Sequence, residues 1–221
     1  CLAKRSLWFD EAVSYTSISA FSWSEMIRRT GQAVHPPLFY VLLRIWTFAF
    51  GTAEVSLRGL SVVLAVVTMV GIYLFCRDAF CDLRNNSQEC RSQSRGIGVF
   101  AAALVAISSV HILWAQQARM YMLGTALAAL SSWTLVRALR AERDLGWWLG
   151  YALTAACFLY THNYALFSVL AQGSFAMGYL LWLHKGCLHE VVRSGSFRCF
   201  VVALAIAAVL YLPWVPSFWQ S

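Results

Sequence analysis

The chain has 221 residues, of which 60% are hydrophobic and 12% charged, with a formal net charge of +7. Soluble domains carry about 25% charged residues and a single core stops growing at roughly 250–300 residues, so this apolar content excludes a water-solvated domain and requires lipid. The positive balance excludes no less clearly a nucleic-acid footprint, because Lys and Arg fall in short stretches between apolar runs and form no basic face.

In chain order, Cys1 is no initiator and residues 2–10 lack the apolar region of a signal peptide, which reads as a piece truncated at both ends. Asp10 and Glu11 follow the aromatic pair Trp8-Phe9. Two adjacent carboxylates there suit either catalysis or the acidic first turn of a helix, which the macrodipole favours. Ser22-Trp23-Ser24-Glu25 has capping-box spacing and predicts a short helix up to Arg29, closed by Thr30-Gly31. His35 precedes Pro36-Pro37, a place where a histidine is ordinarily a turn residue. Residues 36–50 then offer about 13 apolar-rich positions from Leu38, a length more often interfacial or re-entrant than spanning. Tyr40, Arg44 and Thr47 form a thin polar stripe along that helix, which suits one lying at the membrane interface.

Six apolar runs follow, at 57–76, 97–114, 121–136, 147–160, 164–183 and 199–212. About 20 residues at 1.5 Å each match the ~30 Å hydrocarbon core. The loop with Arg77, Arg84, Arg91 and Arg95, the one with Arg137, Arg140 and Arg143, and the one with Lys185, Arg193 and Arg198 share one side by parity. Positive loops face the cytoplasm. Residues 1–56 and the short turns around Arg119 and His162 therefore face outward. The expected fold is all-α: a polytopic transmembrane helical bundle over 57–221, preceded by an extracytoplasmic segment, 1–56, with short interfacial helices. His184, Cys187 and His189 crowd one loop, but three scattered ligands make a weak metal signal.

Asp10, Glu11, His35, Arg119 and His162 thus collect on one membrane face. Arg119 is costly there unless paired or snorkelling, and His162 sits in a polar turn, Thr161-His162-Asn163, between aromatic residues. The order Leu7-Trp8-Phe9-Asp10-Glu11-Ala12, His35-Pro36-Pro37-Leu38-Phe39-Tyr40, Gly51-Thr52-Ala53-Glu54 and Leu57-Arg58 resembles the first extracytoplasmic loop of GT-C glycosyltransferases. The group it is similar to comprises protein O-mannosyltransferases, aminoarabinose transferases and Rgt-type transferases. Gln116-Gln117-Ala118-Arg119-Met120-Tyr121 and Thr161-His162-Asn163-Tyr164 fall where that group places similar stretches.

The resemblance implies a GT-C-like bundle in a plasma membrane, the bacterial inner membrane above all, with its active site outside. It implies a polyprenyl-phosphate-sugar donor and a glycan, lipid or protein hydroxyl acceptor. Asp10 matches the acidic catalytic or metal-binding position and Glu11 its neighbour, with a divalent metal ion as the one cofactor to be considered. Arg119, with His35 and His162, would meet the donor phosphate. The chemistry agrees: a base must take the acceptor proton, whereas the lipid phosphate leaves as a stable anion and calls for Arg or a cation. Which of Asp10 and Glu11 is the base stays open at this point. The rival reading is a non-catalytic scaffold or a transporter, although a transporter should carry ionisable residues at mid-span and internal repeats.

Overall fold

The structure is a computed structural model, and it describes residues 8–32, 36–80, 88–141 and 144–218. All regular structure among these residues is helical: α1 Phe9–Ser19, α2 Trp23–Gln32, α3 Leu38–Phe50, α4 Glu54–Ala79, α5 Gln88–Ala106, α6 Ser109–Ala115, α7 Tyr121–Arg140, α8 Leu145–Leu159, α9 Ala165–Leu183, α10 Leu188–Arg193 and α11 Gly195–Tyr211, then a 3-10 turn Leu212–Trp214 and α12 Val215–Phe218.

Among the described residues four helices are long and apolar enough to cross a membrane: Glu54–Ala79, Tyr121–Arg140, Ala165–Leu183 and Gly195–Trp214. The expected span at 97–114 is broken instead. Ser108 takes an extended conformation at the N-cap of α6, and α5 and α6 meet at a 65° bend. Counting that bent pair gives five spans. The run at 147–160 forms α8, apolar but only 15 residues long. It is wedged against α7 and α11, with Tyr151, Ala152 and Ala155 fully buried, so protein more than lipid surrounds it.

Close helix approach rests on small residues. A Cβ on Gly98 of α5 would lie 2.8 Å from the Tyr73 carbonyl oxygen of α4, and one on Gly71 of α4 would lie 3.1 Å from Ala129 Cβ of α7. Small residues let backbones meet in this way where lipid tails supply no hydrophobic drive. In the interior, Gln172 Nε2 donates to Ser131 Oγ at 2.8 Å and to Ser132 Oγ at 3.0 Å, while the Tyr151 hydroxyl donates to Gln172 Oε1 at 3.3 Å. These neutral groups satisfy one another, as buried polar atoms must.

The helices alternate in direction, which leaves two ends. At one, α1, α2 and α3 pack over the start of α4 and α7, burying Ile18, Met26, Phe39, Leu43, Leu57 and Met120 in one cluster. α3 is tied at both of its ends to this α1 end. Leu38 N donates to the Tyr160 carbonyl at 3.1 Å, and Trp46 Nε1 donates to the Ser56 carbonyl in the first turn of α4 at 2.9 Å. Its polar stripe faces protein, not water: Tyr40 is buried, and Arg44 donates to the Phe21 carbonyl at 2.8 Å with its guanidinium 4.5 Å from the Trp23 ring. α2 runs past Gly31 to Gln32, and α1 is a further helix that capping signals alone do not announce.

Candidate active site at the α1 end

α1 is a poor helix by itself. Ser14, Thr16, Ser17 and Ser19 all turn their hydroxyls back onto the carbonyl four residues before, a bond that competes with the helix ladder. Docking holds it in place. Glu11, Ser14 and Ile18 recur at i, i+3, i+7 and form its buried face.

Glu11 is the anchor. Only 2% of it is exposed, and its carboxylate accepts four hydrogen bonds. Arg58 of α4 donates in a two-pronged contact, Nε to Oε1 at 2.9 Å and Nη2 to Oε2 at 2.7 Å. Ala118 N donates to Oε1 at 2.9 Å and Trp8 N to Oε2 at 3.1 Å. Burial is the largest single influence on this carboxyl and pushes its pKa up, but the bonds from Arg58, Ala118 and Trp8 together outweigh it and hold the group below the usual carboxylate range. One side chain thus joins α1, α4 and the turn between α6 and α7.

That turn carries Arg119. It is fixed on the preceding side as well, since Ser61 Oγ of α4 donates to the Gln117 carbonyl at 2.6 Å. Arg119 is nine-tenths buried and reaches toward the first turn of α1, with Nη2 3.9 Å from Asp10 Oδ2 and Nη1 3.4 Å from the Asp10 carbonyl. Its Nε is buried without a hydrogen-bond partner, and its guanidinium carbon sits 6.0 Å from the Tyr121 ring. A buried N–H with no acceptor costs about 1–3 kcal/mol, which an incoming anion would recover.

Asp10 differs from its neighbour in every respect. Its side chain is 52% exposed, and its nearest cation is the loosely held Arg119. Tyr40 stands beside the pair: burial raises the pKa of its phenol, while the charge of Arg119 pulls it back and that of Asp10 adds to the rise.

The other sequence candidates divide. His162 lies in the 160–164 turn at the same end, where Nδ1 accepts from Tyr164 N at 3.1 Å and the ring stands 6.3 Å from that of Tyr121. It therefore borders the site through Tyr121. His35 lies outside the described residues. Arg58 and Tyr40 carried no assigned role in the sequence. An arginine in the first turn of an apolar span needs a partner, which is the signal that singles out Arg58. Nothing comparable marks Tyr40. Among the described residues no group of three His, Cys, Asp or Glu side chains assembles a metal site.

A comparison with curated proteins and with solved structures finds no match. The profile of the dolichyl-phosphate-mannose-protein mannosyltransferase family matches residues 34–215. That stretch takes in Arg58, Arg119 and His162 but not Asp10 or Glu11, so the carboxylates stand on geometry alone. With most of its length matched, the chain belongs to the dolichyl-phosphate-mannose-protein mannosyltransferase family, a family of membrane glycosyltransferases that use polyprenyl-phosphate sugars.

Proposed function

We propose that the α1 end is the site at which a sugar passes from a polyprenyl phosphate to an acceptor hydroxyl, on the extracytoplasmic face of the plasma membrane. The observation that carries this reading is the loose pair Asp10–Arg119. An accessible carboxylate and a nine-tenths-buried guanidinium with an unbonded Nε meet there across 109 residues of sequence.

In the proposed step Asp10 takes the proton of the acceptor hydroxyl as its oxygen bonds to the sugar's anomeric carbon. The bond from that carbon to the phosphate oxygen breaks, and the polyprenyl phosphate leaves with the electron pair. Arg119 faces the charge that grows on the phosphate; a planar guanidinium suits two-pronged contact with it. Glu11, saturated by four donors, is unsuited to accept a further proton and serves to place both Asp10 and Arg119. His162, and His35 beyond the described residues, remain proposed neighbours of the donor phosphate.

The donor set also suits a divalent cation of the magnesium kind, which takes one or two carboxylates together with phosphate oxygens. Asp10 would hold it, and it would add positive charge where the phosphate departs. The positive loops at the opposite end support the outward placement of α1. Against a transporter, buried polar groups along the bundle such as Gln172, Ser131 and Tyr151 are neutral, and the buried ions Arg58 and Asp78 lie near the two ends of α4.

Asp10→Asn tests the reading. Transfer from polyprenyl-phosphate mannose should fall by 10²–10⁴, the usual contribution of a general base, while the variant binds that donor nearly as well. Near-normal transfer by folded, inserted Asp10→Asn protein would favour the scaffold reading.

A further inference from the structure

A second feature lies against the same helix. A cavity of about 580 Å³ opens between α1, α2 and α3, lined by Phe9, Val13, Thr16 and Ser17 of α1, Phe21 and Arg29 beside them, and Tyr40 of α3. Ligand sites commonly fall in the range 300–1,000 Å³. Its α1 wall is the face opposite Glu11, Ser14 and Ile18, so it is separate from the buried anchor. Two links join it to the reaction centre. Asp10, Val13 and Ser17 recur at i, i+3, i+7 and share a stripe of α1. Tyr40 both lines the cavity and lies close enough to Asp10 and Arg119 to feel their charges.

The chemistry of the walls narrows the occupant. Three aromatic rings border it: Phe9 is 78% exposed, Phe21 carries the Arg29 guanidinium over one face, and Tyr40 is buried with its edge at the wall. The hydroxyls of Thr16 and Ser17 spend their protons on the carbonyls of Ala12 and Val13, at 2.9 and 2.7 Å, and so present lone pairs as acceptors. Arg29 is oriented by Glu25, its Nε 2.8 Å from Oε1, and by Phe21, whose ring centroid lies 4.0 Å from its guanidinium carbon. A polypeptide adding as a strand would seek unpaired backbone groups at a sheet edge, whereas the walls here are helices and the bend at Phe21, whose carbonyl Arg44 already takes. An acyl or prenyl chain would leave the hydroxyls and Arg29 facing hydrocarbon. A sugar ring, apolar on its faces and rich in hydroxyls at its rim, meets both kinds of wall.

We propose that this cavity is the acceptor subsite and that it takes a neutral saccharide, presenting one hydroxyl to Asp10 past Phe9 and Tyr40. The proposal rests on the reading of Asp10 as the base but is tested without turnover. Thr16→Cys protein in lipid nanodiscs is alkylated with a polar maleimide in the presence of maltose, mannobiose or lactose, of a Ser/Thr-rich peptide, or of undecaprenyl phosphate. At least one saccharide should slow alkylation several-fold, and the peptide and the lipid should not. Adding Phe21→Ala should raise the saccharide concentration needed by roughly three- to tenfold, the worth of one aromatic contact. Asp78→Asn, at the other end of α4, should leave the protection unchanged, and because protection is read without donor or turnover its failure is distinct from a failure of the Asp10 reading. Protection by undecaprenyl phosphate, protection by the peptide, or no protection by any of the three sugars would overturn the proposal.

Discussion

Both ends of the bundle hold a carboxylate among arginines, and they use it differently. At the end opposite α1, Asp78 of α4 accepts from Arg77 Nε at 2.7 Å and Nη2 at 3.0 Å, and from Trp133 Nε1 of α7 at 2.8 Å, with Arg137 Nη1 at 3.9 Å. Arg137 in turn lies 4.7 Å from the Trp147 ring of α8, and Arg140 closes the corner by donating to the Ala79 carbonyl at 2.8 Å. Asp78, its side chain nine-tenths buried, clasps α4 to α7, and Arg137, whose Nε is buried without a hydrogen-bond partner as that of Arg119 is, extends the clasp to α8. The α1 end has such a clasp too, Glu11 on Arg58, but beside it stands a second pair that is not closed. The lesson is that a buried ion pair by itself marks structure. What marks a site is an accessible carboxylate held beside a saturated pair: the Asp10 side chain is 52% exposed and that of Asp78 only 10%.

This contrast predicts that the two clasps fail in different ways. Arg58→Ala would leave Glu11 buried and unpaired, a change that typically costs 3–5 kcal/mol. Because α1 forms through docking, the loss should appear as proteolytic nicking between residues 20 and 22 and as loss of transfer. An Arg58→Ala variant that keeps α1 protected would show that Ile18 and its neighbours suffice to dock the helix.

Asp78→Asn should cost less, about 1–3 kcal/mol, since the amide keeps the shape and loses the charge-assisted bonds. Thermal unfolding in detergent should shift down while transfer per folded molecule holds steady. A specific loss of turnover in that variant would erase the distinction between the ends. Gly98→Ala tests packing away from either clasp: with Tyr73 O only 2.8 Å from the new methyl, α5 must move from α4, and overpacking of this kind costs about 1–3 kcal/mol.

The smallest effect is that of pH. The Glu11 carboxyl is held below its ordinary 4.5 in the folded chain, so its contribution to stability is present above that value and fades as pH falls through the lowered one. Glu25 is also lowered, to about 2, by hydrogen bonds from Arg28 and Arg29, but it is exposed and screened. Melting temperatures measured from pH 6 down to pH 3 should fall less steeply in Glu11→Gln than in the unaltered chain. Parallel slopes would mean that the acid sensitivity lies elsewhere.

Much of this was legible in the sequence. Apolar runs separated by basic loops specify a membrane bundle, and Arg119, stranded in a short turn between two runs, asked for a partner from the start. What stayed hidden depends on contacts between distant residues. Glu11 and Asp10 are adjacent and alike in type, and only the fold, by bringing Arg58 and Ala118 to one of them, makes the first an anchor and leaves the second accessible. The polar stripe of α3 has the period of a helix lying at the membrane interface, but the sequence does not give its partners: Arg44 turns to Phe21 and Trp23. The bend at Ser108 escaped because hydropathy averages over a window and does not register one residue in extended conformation.

The central claim is that the open pair, and neither clasp, meets the donor. The direct measurement is the affinity of polyprenyl-phosphate mannose for folded Arg119→Ala, set against Asp78→Asn and the unaltered protein at one salt concentration. Loss of charge-assisted contacts to the phosphate should weaken binding by Arg119→Ala roughly 10–100-fold, as 1.5–3 kcal/mol implies, and Asp78→Asn should bind as the unaltered protein does. Unchanged affinity in Arg119→Ala, or an equal loss in both variants, would contradict the account.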